Sequence, residues 1–319
     1  MNILVTSKSF GKTNPAAWAR LEKSGFSLRR FAGGAPTPGG IASQIAGVGV
    51  LIVGNDTVDQ TVLDAADSLR LIHMNGTGLD GIDVAGVTAR GILVANAPGA
   101  NRNAVAELTV ALMLNAGRGV ERHARLLREG RWERTPGREL SGATVGILGL
   151  GNIGRRVVEL LRGFSPQFVL YDPLAASAPG LPADAHMAAH PDEVFAAADY
   201  LVLTLPLTPE TRHLVDDRTL GLMKPTAFLV NTARGGLVDD GALCRAVAGG
   251  RLAGAALDVF AEEPPPMDSP LRGVPEIMLT PHLAATSVES AARVSDIVAD
   301  NIIDILIKGQ RNIAVNFTT

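Results

Sequence analysis

Thr144-Val145-Gly146-Ile147-Leu148 runs straight into Gly149-Leu150-Gly151-Asn152-Ile153-Gly154, after which Val157, Val158 and Leu161 recur at helical spacing. A further apolar run ends in Tyr171-Asp172-Pro173, with Asp172 eighteen residues beyond Gly154. A GxGxxG taken alone says little. Set between a strand and a helix, with an acid at the end of the next strand, it has a mechanism. Gly149 allows the tight turn, Gly151 lets a pyrophosphate approach the backbone, and Gly154 lets helix and strand pack closely. The amides of Asn152 and Ile153 then face phosphate oxygens. Asp172 is placed to accept hydrogen bonds from the adenosine ribose and to repel a 2'-phosphate, so NAD is expected rather than NADP. Arg155 and Arg156 follow closely but fall on the helix, away from the ribose. A plain structural turn and a methyltransferase loop binding S-adenosylmethionine are the alternatives, and strand, helix and acid together disfavour them.

On either side of this unit, short apolar runs alternate with helical patterns, the signature of parallel sheets covered by helices. Before it, strands are predicted at 3–6, 50–53, 71–74 and 92–95, with Asn14 and Pro15 opening a helix through Lys23. After it, they are predicted at 168–171, 200–204, 227–231, 253–257 and 277–279. Between the two series, Val105, Leu108, Leu112, Ala116, Val120 and Leu127 keep helical spacing, predicting one long helix from Asn101 to Arg128 that bridges two domains. A last helical pattern, Val288 to Ile305, is expected to return to the first domain. The expected fold is α/β, two Rossmann-like or flavodoxin-like parallel-sheet domains. Residues 1–98 and 289–319 would form one, and a nucleotide-binding domain at 99–288 would be inserted into it.

The 319 residues include 29 basic and 32 acidic ones, a net charge of -3, and no like-charge block of five. Nucleic acid and anionic membrane therefore have no electrostatic footprint. The single cysteine, Cys244, excludes an intrachain disulfide and a cysteine zinc cluster. No apolar run approaches the roughly 18 residues of a membrane helix. A cytoplasmic protein is expected.

Three of the later strands end in polar residues that folding alone does not call for: Asn231-Thr232-Ala233-Arg234-Gly235-Gly236, Asp258-Val259-Phe260-Ala261-Glu262-Glu263-Pro264, and Thr280-Pro281-His282. Open α/β sheets bind ligands at the carboxyl ends of their strands. With Gly76-Thr77-Gly78-Leu79-Asp80, Val105-Ala106-Glu107-Leu108 and Leu205-Pro206-Leu207-Thr208, these motifs cover essentially the whole chain. In that order and spacing, the sequence resembles the D-isomer-specific 2-hydroxyacid dehydrogenase family, most closely its phosphoglycerate dehydrogenase-like branch. The resemblance implies an NAD-dependent enzyme interconverting a small 2-hydroxy acid and its 2-oxo acid, and a homodimer built through the second domain. It implies a catalytic set of Arg234, Glu263 and His282, and further NAD contacts at Thr77, Val105, Leu205, Thr232 and Asp258. Thr204 stands where family members often have histidine.

The chemistry suits the residues. A guanidinium grips a carboxylate in fork geometry and polarises the carbonyl beside it, which is the part for Arg234. The backbone amides of Thr77 and Gly78 are expected to share that carboxylate. The hydroxyl proton needs a group titrating near neutrality, and His282 is the candidate. Glu263 would orient the imidazole and favour its charged form. Asp258 closes an apolar strand, where a carboxylate is costly unless a ligand or an amide answers it.

Other readings keep the scaffold. Formate oxidation is disfavoured by Glu263, where such members tend to carry glutamine. Phosphite oxidation would retain all three residues, and a dinucleotide-sensing corepressor would share the fold. His186 and His190 have the spacing of a metal pair without its glutamate signature, so no metal is expected. His73, His123 and His213 read as structural.

Overall fold

The computed structural model describes residues 1–174 and 180–317. Thr318 and Thr319, at the end of the segment expected to complete the first domain, lie outside the described residues. The chain divides into two compact units, Met1–Asn101 with Thr286–Thr319, and Arg102–Ala285.

The first unit is built on five parallel strands, β1 (Asn2–Val5), β2 (Ser27–Arg30), β3 (Val48–Val53), β4 (Leu71–Met74) and β5 (Leu93–Ala95), in the order β2-β1-β3-β4-β5. β3 and β4 are buried at every position, as their continuous apolar sequences require of strands covered on both faces. Successive side chains point to opposite faces. Ile3, Val5, Val50, Ile52 and Leu71 pack against Val294, Val298, Ala299 and Ile302 of the helix Val288–Leu306. Leu4, Leu51, Val53 and Ile72 pack against Ile41, Val62, Leu63 and Val87 on the other side. β2 is absent from the sequence expectation because Ser27-Leu28-Arg29-Arg30 is an edge strand exposed at three of its four positions, and edge strands carry charge in place of an apolar pattern. Asn14 precedes the helix Pro15–Lys23 without capping it; its side-chain amide donates instead to Ala292 O at 3.4 Å.

Among the described residues, the second unit holds seven parallel strands: β6 (Thr144–Leu148), β7 (Gln167–Tyr171), β8 (His186–Met187), β9 (Tyr200–Leu203), β10 (Phe228–Asn231), β11 (Gly254–Leu257) and β12 (Ile277–Leu279). Their order is β12-β11-β10-β9-β6-β7-β8. The chain runs outward from β6 to β7 and β8, then returns to lay β9 on its other side. Open α/β sheets take their ligands at such a reversal, which here falls at the carboxyl ends of β6 and β9. β8, only two residues long, has no pattern for a sequence to show.

The expected single helix over 101–128 is two helices, Arg102–Arg118 and Val120–Arg128. Gly119 breaks it with φ 60°, in the left-handed region, and Asn115 Oδ1 accepts from the Glu121 amide just beyond. The apolar spacing that predicted continuity does not survive the break: Leu126 is buried in the second helix, whereas Val120 and Leu127 are exposed.

Candidate active site

The carboxyl end of β6 turns through Gly149 at φ 100°, where a Cβ would sit 2.8 Å from Leu205 N. At Gly154 a Cβ would lie 2.1 Å from Gly149 O. Both glycines are thus required by close approach of the backbone. At Gly151 the situation reverses, since a Cβ there would meet nothing within 4 Å. Gly151 is the N-cap of the helix Asn152–Leu161, and no side chain caps it. Its leading amides, Asn152 and Ile153 among them, therefore face open space with free N–H groups and the positive end of the helix dipole behind them. A helix N-terminus over a glycine that leaves room for a pyrophosphate fits a dinucleotide.

Asp172 ends β7 beside this loop, its Oδ2 accepting from Leu150 N at 2.7 Å and its Oδ1 from Leu174 N at 2.8 Å. Arg155 Nε is tied to Leu150 O at 2.7 Å, and Arg156 pairs with Glu159 at 2.7 Å. Thr204 holds the loop from the far side, its hydroxyl donating to Gly149 O at 2.7 Å. Leu205 follows it. Thr232 is buried after β10 and its hydroxyl meets that of Thr109 at 2.7 Å; the Thr109 hydroxyl also lies 2.7 Å from the carbonyl of Val105.

Arg234, Glu263 and His282 lie in the segments that follow β10, β11 and β12. Asn231, fully buried at the end of β10, shapes the arginine turn: its Nδ2 donates to Arg234 O at 2.9 Å and its Oδ1 accepts from Ala233 N at 3.0 Å. Arg234 Nη1 donates to Ala233 O at 2.7 Å. Gly235 is forced by proximity, because a Cβ would sit 1.9 Å from the Phe260 carbonyl carbon. Glu263 Oε1 accepts from Phe260 N at 3.1 Å, which turns Oε2 toward His282 Nδ1 at 2.6 Å. The two side chains are about a third exposed, at 33% and 35%. His282 Nε2 has no partner among the described residues.

The electrostatics follow from these contacts. The Glu263 hydrogen bond raises the His282 imidazole above its usual 6.5 against the opposing effect of burial; the charges of Glu263 and Asp258 add to the rise and that of Arg234 opposes it. Burial pushes Glu263 upward, but the hydrogen bonds from His282 and the Phe260 amide and the charges of His282 and Arg234 outweigh it. The carboxyl lies below its usual range. At neutral pH a carboxylate thus supports an imidazole whose other nitrogen is open for proton exchange.

Thr77 and Gly78 belong to the first unit, directly beyond β4. The Thr77 hydroxyl reaches Asn101 Oδ1 at 3.2 Å, and Asn96 Nδ2 donates to Thr77 O at 2.7 Å. Of the remaining histidines, His73, His123, His186 and His190 have side-chain hydrogen-bond partners among the described residues. His73 is fully buried, which lowers it to about 4, with Nδ1 on Met74 O and Nε2 beside Asn301 Nδ2. His190 Nδ1 caps the helix Pro191–Ala197 by accepting from Asp192 N, and His186 lies 3.4 Å from Glu193. Sequence reasoning did not single out Asn231 or Thr280. An asparagine placed immediately before a strand-end arginine turn is the signal that was available for the first.

Residues 110–284 match the model of the D-isomer specific 2-hydroxyacid dehydrogenase, NAD binding domain. The chain belongs to the D-isomer specific 2-hydroxyacid dehydrogenase family. Among its relatives, the D-3-phosphoglycerate dehydrogenase of Methanocaldococcus jannaschii is 39% identical over 269 residues, 83% of this chain and 51% of that one. The chain therefore spans about half the length of that relative. A solved structure of a Thermus thermophilus protein is 33% identical, covers 97% of each chain and superposes with a TM-score of 0.86. An NADPH-dependent glyoxylate/hydroxypyruvate reductase from Sinorhizobium meliloti, crystallised with citrate, is 31% identical over 97% of this chain and 95% of its own, with a TM-score of 0.82. The second unit carries the family's NAD-binding domain, whose glycine loop is the one described above.

Proposed function

We propose that the protein is an NAD-dependent oxidoreductase interconverting a small D-2-hydroxy acid and its 2-oxo acid, of the phosphoglycerate dehydrogenase or glyoxylate/hydroxypyruvate reductase kind. The observation that carries this reading is the His282–Glu263 pair at 2.6 Å. It stands with Arg234 on the same sheet edge as the glycine loop and leaves Nε2 open. Arg234 takes the substrate carboxylate as a fork. In the reductive direction His282 Nε2 donates a proton to the carbonyl oxygen, which becomes the hydroxyl; in the oxidative direction Nε2 takes it back. Glu263 holds the ring by Nδ1 and stabilises the imidazolium before transfer. Gly149, Gly151, Asn152, Ile153 and Gly154 would hold the pyrophosphate, Asp172 the adenosine ribose, and Val105, Leu205 and Thr232 the rest of NAD. NAD held by these residues would supply or accept the hydride at the substrate's second carbon.

A homodimer built through the second unit is part of the proposal. Past the break at Gly119, Val120, Leu127 and Trp132 are 55%, 58% and 79% exposed, an apolar surface that a second copy would cover. Light scattering at micromolar concentration should give twice the mass of one chain. No described helix is long and apolar enough to cross a membrane, and the single cysteine supports a reducing, cytoplasmic setting. The deciding experiment is turnover of NADH and NADPH with a panel of 2-oxo acids. Tight NADH binding with negligible reduction of every member would favour a dinucleotide sensor and sink the enzymatic reading.

A further inference from the structure

The carbonyls from Leu148 to Gly151 lead from β6 into the helix Asn152–Leu161, and each of them has a donor. Thr204 N donates to Leu148 O at 2.9 Å, Arg155 Nε to Leu150 O at 2.7 Å and Arg155 N to Gly151 O at 3.1 Å. Gly149 O is met by a side chain from just beyond β9, the Thr204 hydroxyl at 2.7 Å. That hydroxyl has one proton to give. Leu148 O lies farther from it, at 3.2 Å, and already holds the Thr204 amide, so the proton belongs to Gly149 O. Gly149 is buried, and its oxygen lies against the first turn of the helix: a Cβ on Gly154 would sit 2.1 Å from it and 2.8 Å from Thr204 Oγ1. Among the described residues, neither Asn152 N nor Ile153 N donates to a backbone carbonyl. A buried carbonyl without a donor costs about as much as a lost hydrogen bond, and the donors at hand in this turn are its own leading amides. Those are the amides that a phosphate at a helix N-terminus needs.

We propose that Thr204 is a positioning residue for the cofactor: its hydroxyl occupies Gly149 O and so keeps the Asn152 and Ile153 amides free for the pyrophosphate. The inference rests on the reading that the glycine loop holds NAD. It gives a part to the position at which this sequence departs from the histidine common among family members. A hydroxyl is what the space admits, since a methyl on Gly154 would already close it to 2.8 Å. Thr204→Val keeps the branched shape and removes the donor. Gly149 O must then go unmet or turn to an amide at the helix start. The first sets the negative end of a carbonyl dipole beside the phosphate, and the second withdraws one of the phosphate's donors.

The test is binding without turnover. NADH affinity is read by fluorescence titration. ADP-ribose, which carries the adenosine and the pyrophosphate without the nicotinamide, is read by its displacement of NADH. Thr204→Val should weaken both ligands by about tenfold or more and by the same factor, the scale of one hydrogen bond to a charged group. Thr204→Ser restores the donor and should bind both within about threefold of the parent. Thr204→Ala also lacks the donor, should show the loss seen with valine, and carries the test if the valine variant does not fold. Parent-like binding of both ligands by Thr204→Val, whatever its melting temperature, would overturn the proposal and leave a threonine that serves the fold alone. A loss for NADH with ADP-ribose unmoved would overturn it too, because the effect would then lie at the nicotinamide end. So would a serine variant as weak as the valine one, since shape and not the hydroxyl would be at work. A parent protein that binds neither ligand would refute the cofactor reading itself before any variant is compared, and the proposal would fall with it.

Discussion

Gly151→Ala separates the room a cofactor needs from the room the fold needs. The added methyl would meet nothing within 4 Å, and the residue's φ of -70° and ψ of -163° suit alanine as well as glycine. Alanine is the poorer N-cap by about 1 kcal/mol at most, and its smaller loss of unfolded-state entropy offsets about 0.4–1 kcal/mol of that. The melting temperature should therefore move by no more than about 4 °C. Binding should respond very differently, because the methyl occupies the space over the free helix amides. Losing one amide hydrogen bond to a charged phosphate costs about 1.5–3 kcal/mol, which is roughly a ten- to hundredfold rise in the NADH dissociation constant. Gly154→Ala is the counter-case: its Cβ would sit 2.1 Å from Gly149 O and 2.8 Å from Thr204 Oγ1, so the fold itself should lose about 1–3 kcal/mol or more. Fluorescence titration with NADH and a thermal melt on both variants read the two effects. If Gly151→Ala binds NADH as tightly as the parent, the pyrophosphate does not cross this glycine and the cofactor assignment is wrong.

His282→Ala should lower kcat for 2-oxo acid reduction about 100-fold or more while leaving NADH affinity nearly intact; wild-type turnover would mean the proton comes from elsewhere. Glu263→Gln should move the neutral limb of the same pH profile to lower pH. The imidazolium is the reductive donor, it is lost as pH rises through a value Glu263 holds above 6.5, and a neutral partner no longer holds it there. An unmoved limb would refute the pairing. Asp172→Asn should narrow the preference for NADH over NADPH, as judged by kcat/KM, by about fivefold or more, since a charge pair some 4 Å apart is worth about 1 kcal/mol even in water. Equal use of both cofactors by the parent protein would remove the premise.

What could be read without a structure is what the chain encodes locally. The alternation of apolar runs and helical stripes, the glycine spacing at 149–154 and the acid at 172 are each set within one strand, turn and helix, where side-chain period and backbone freedom decide the outcome. The three polar strand ends are local too, and membership of one parallel sheet suffices to bring them to one edge. Where the outcome depends on what packs opposite, the sequence is silent. β2 and β8 exist because neighbouring strands supply their hydrogen bonds, so neither needs an apolar pattern. The helix break at Gly119 overrides a stripe that is continuous on paper, since glycine there is free to take φ 60°. The 2.6 Å contact of Glu263 with His282 joins residues nineteen apart through two different loops, and His282, at φ 48°, is followed by Leu283 and Ala284, whose amides donate to Asp258 from beyond β11. A strained turn is stable only when buried groups far along the chain converge on it, and convergence of that kind is a property of the folded structure alone.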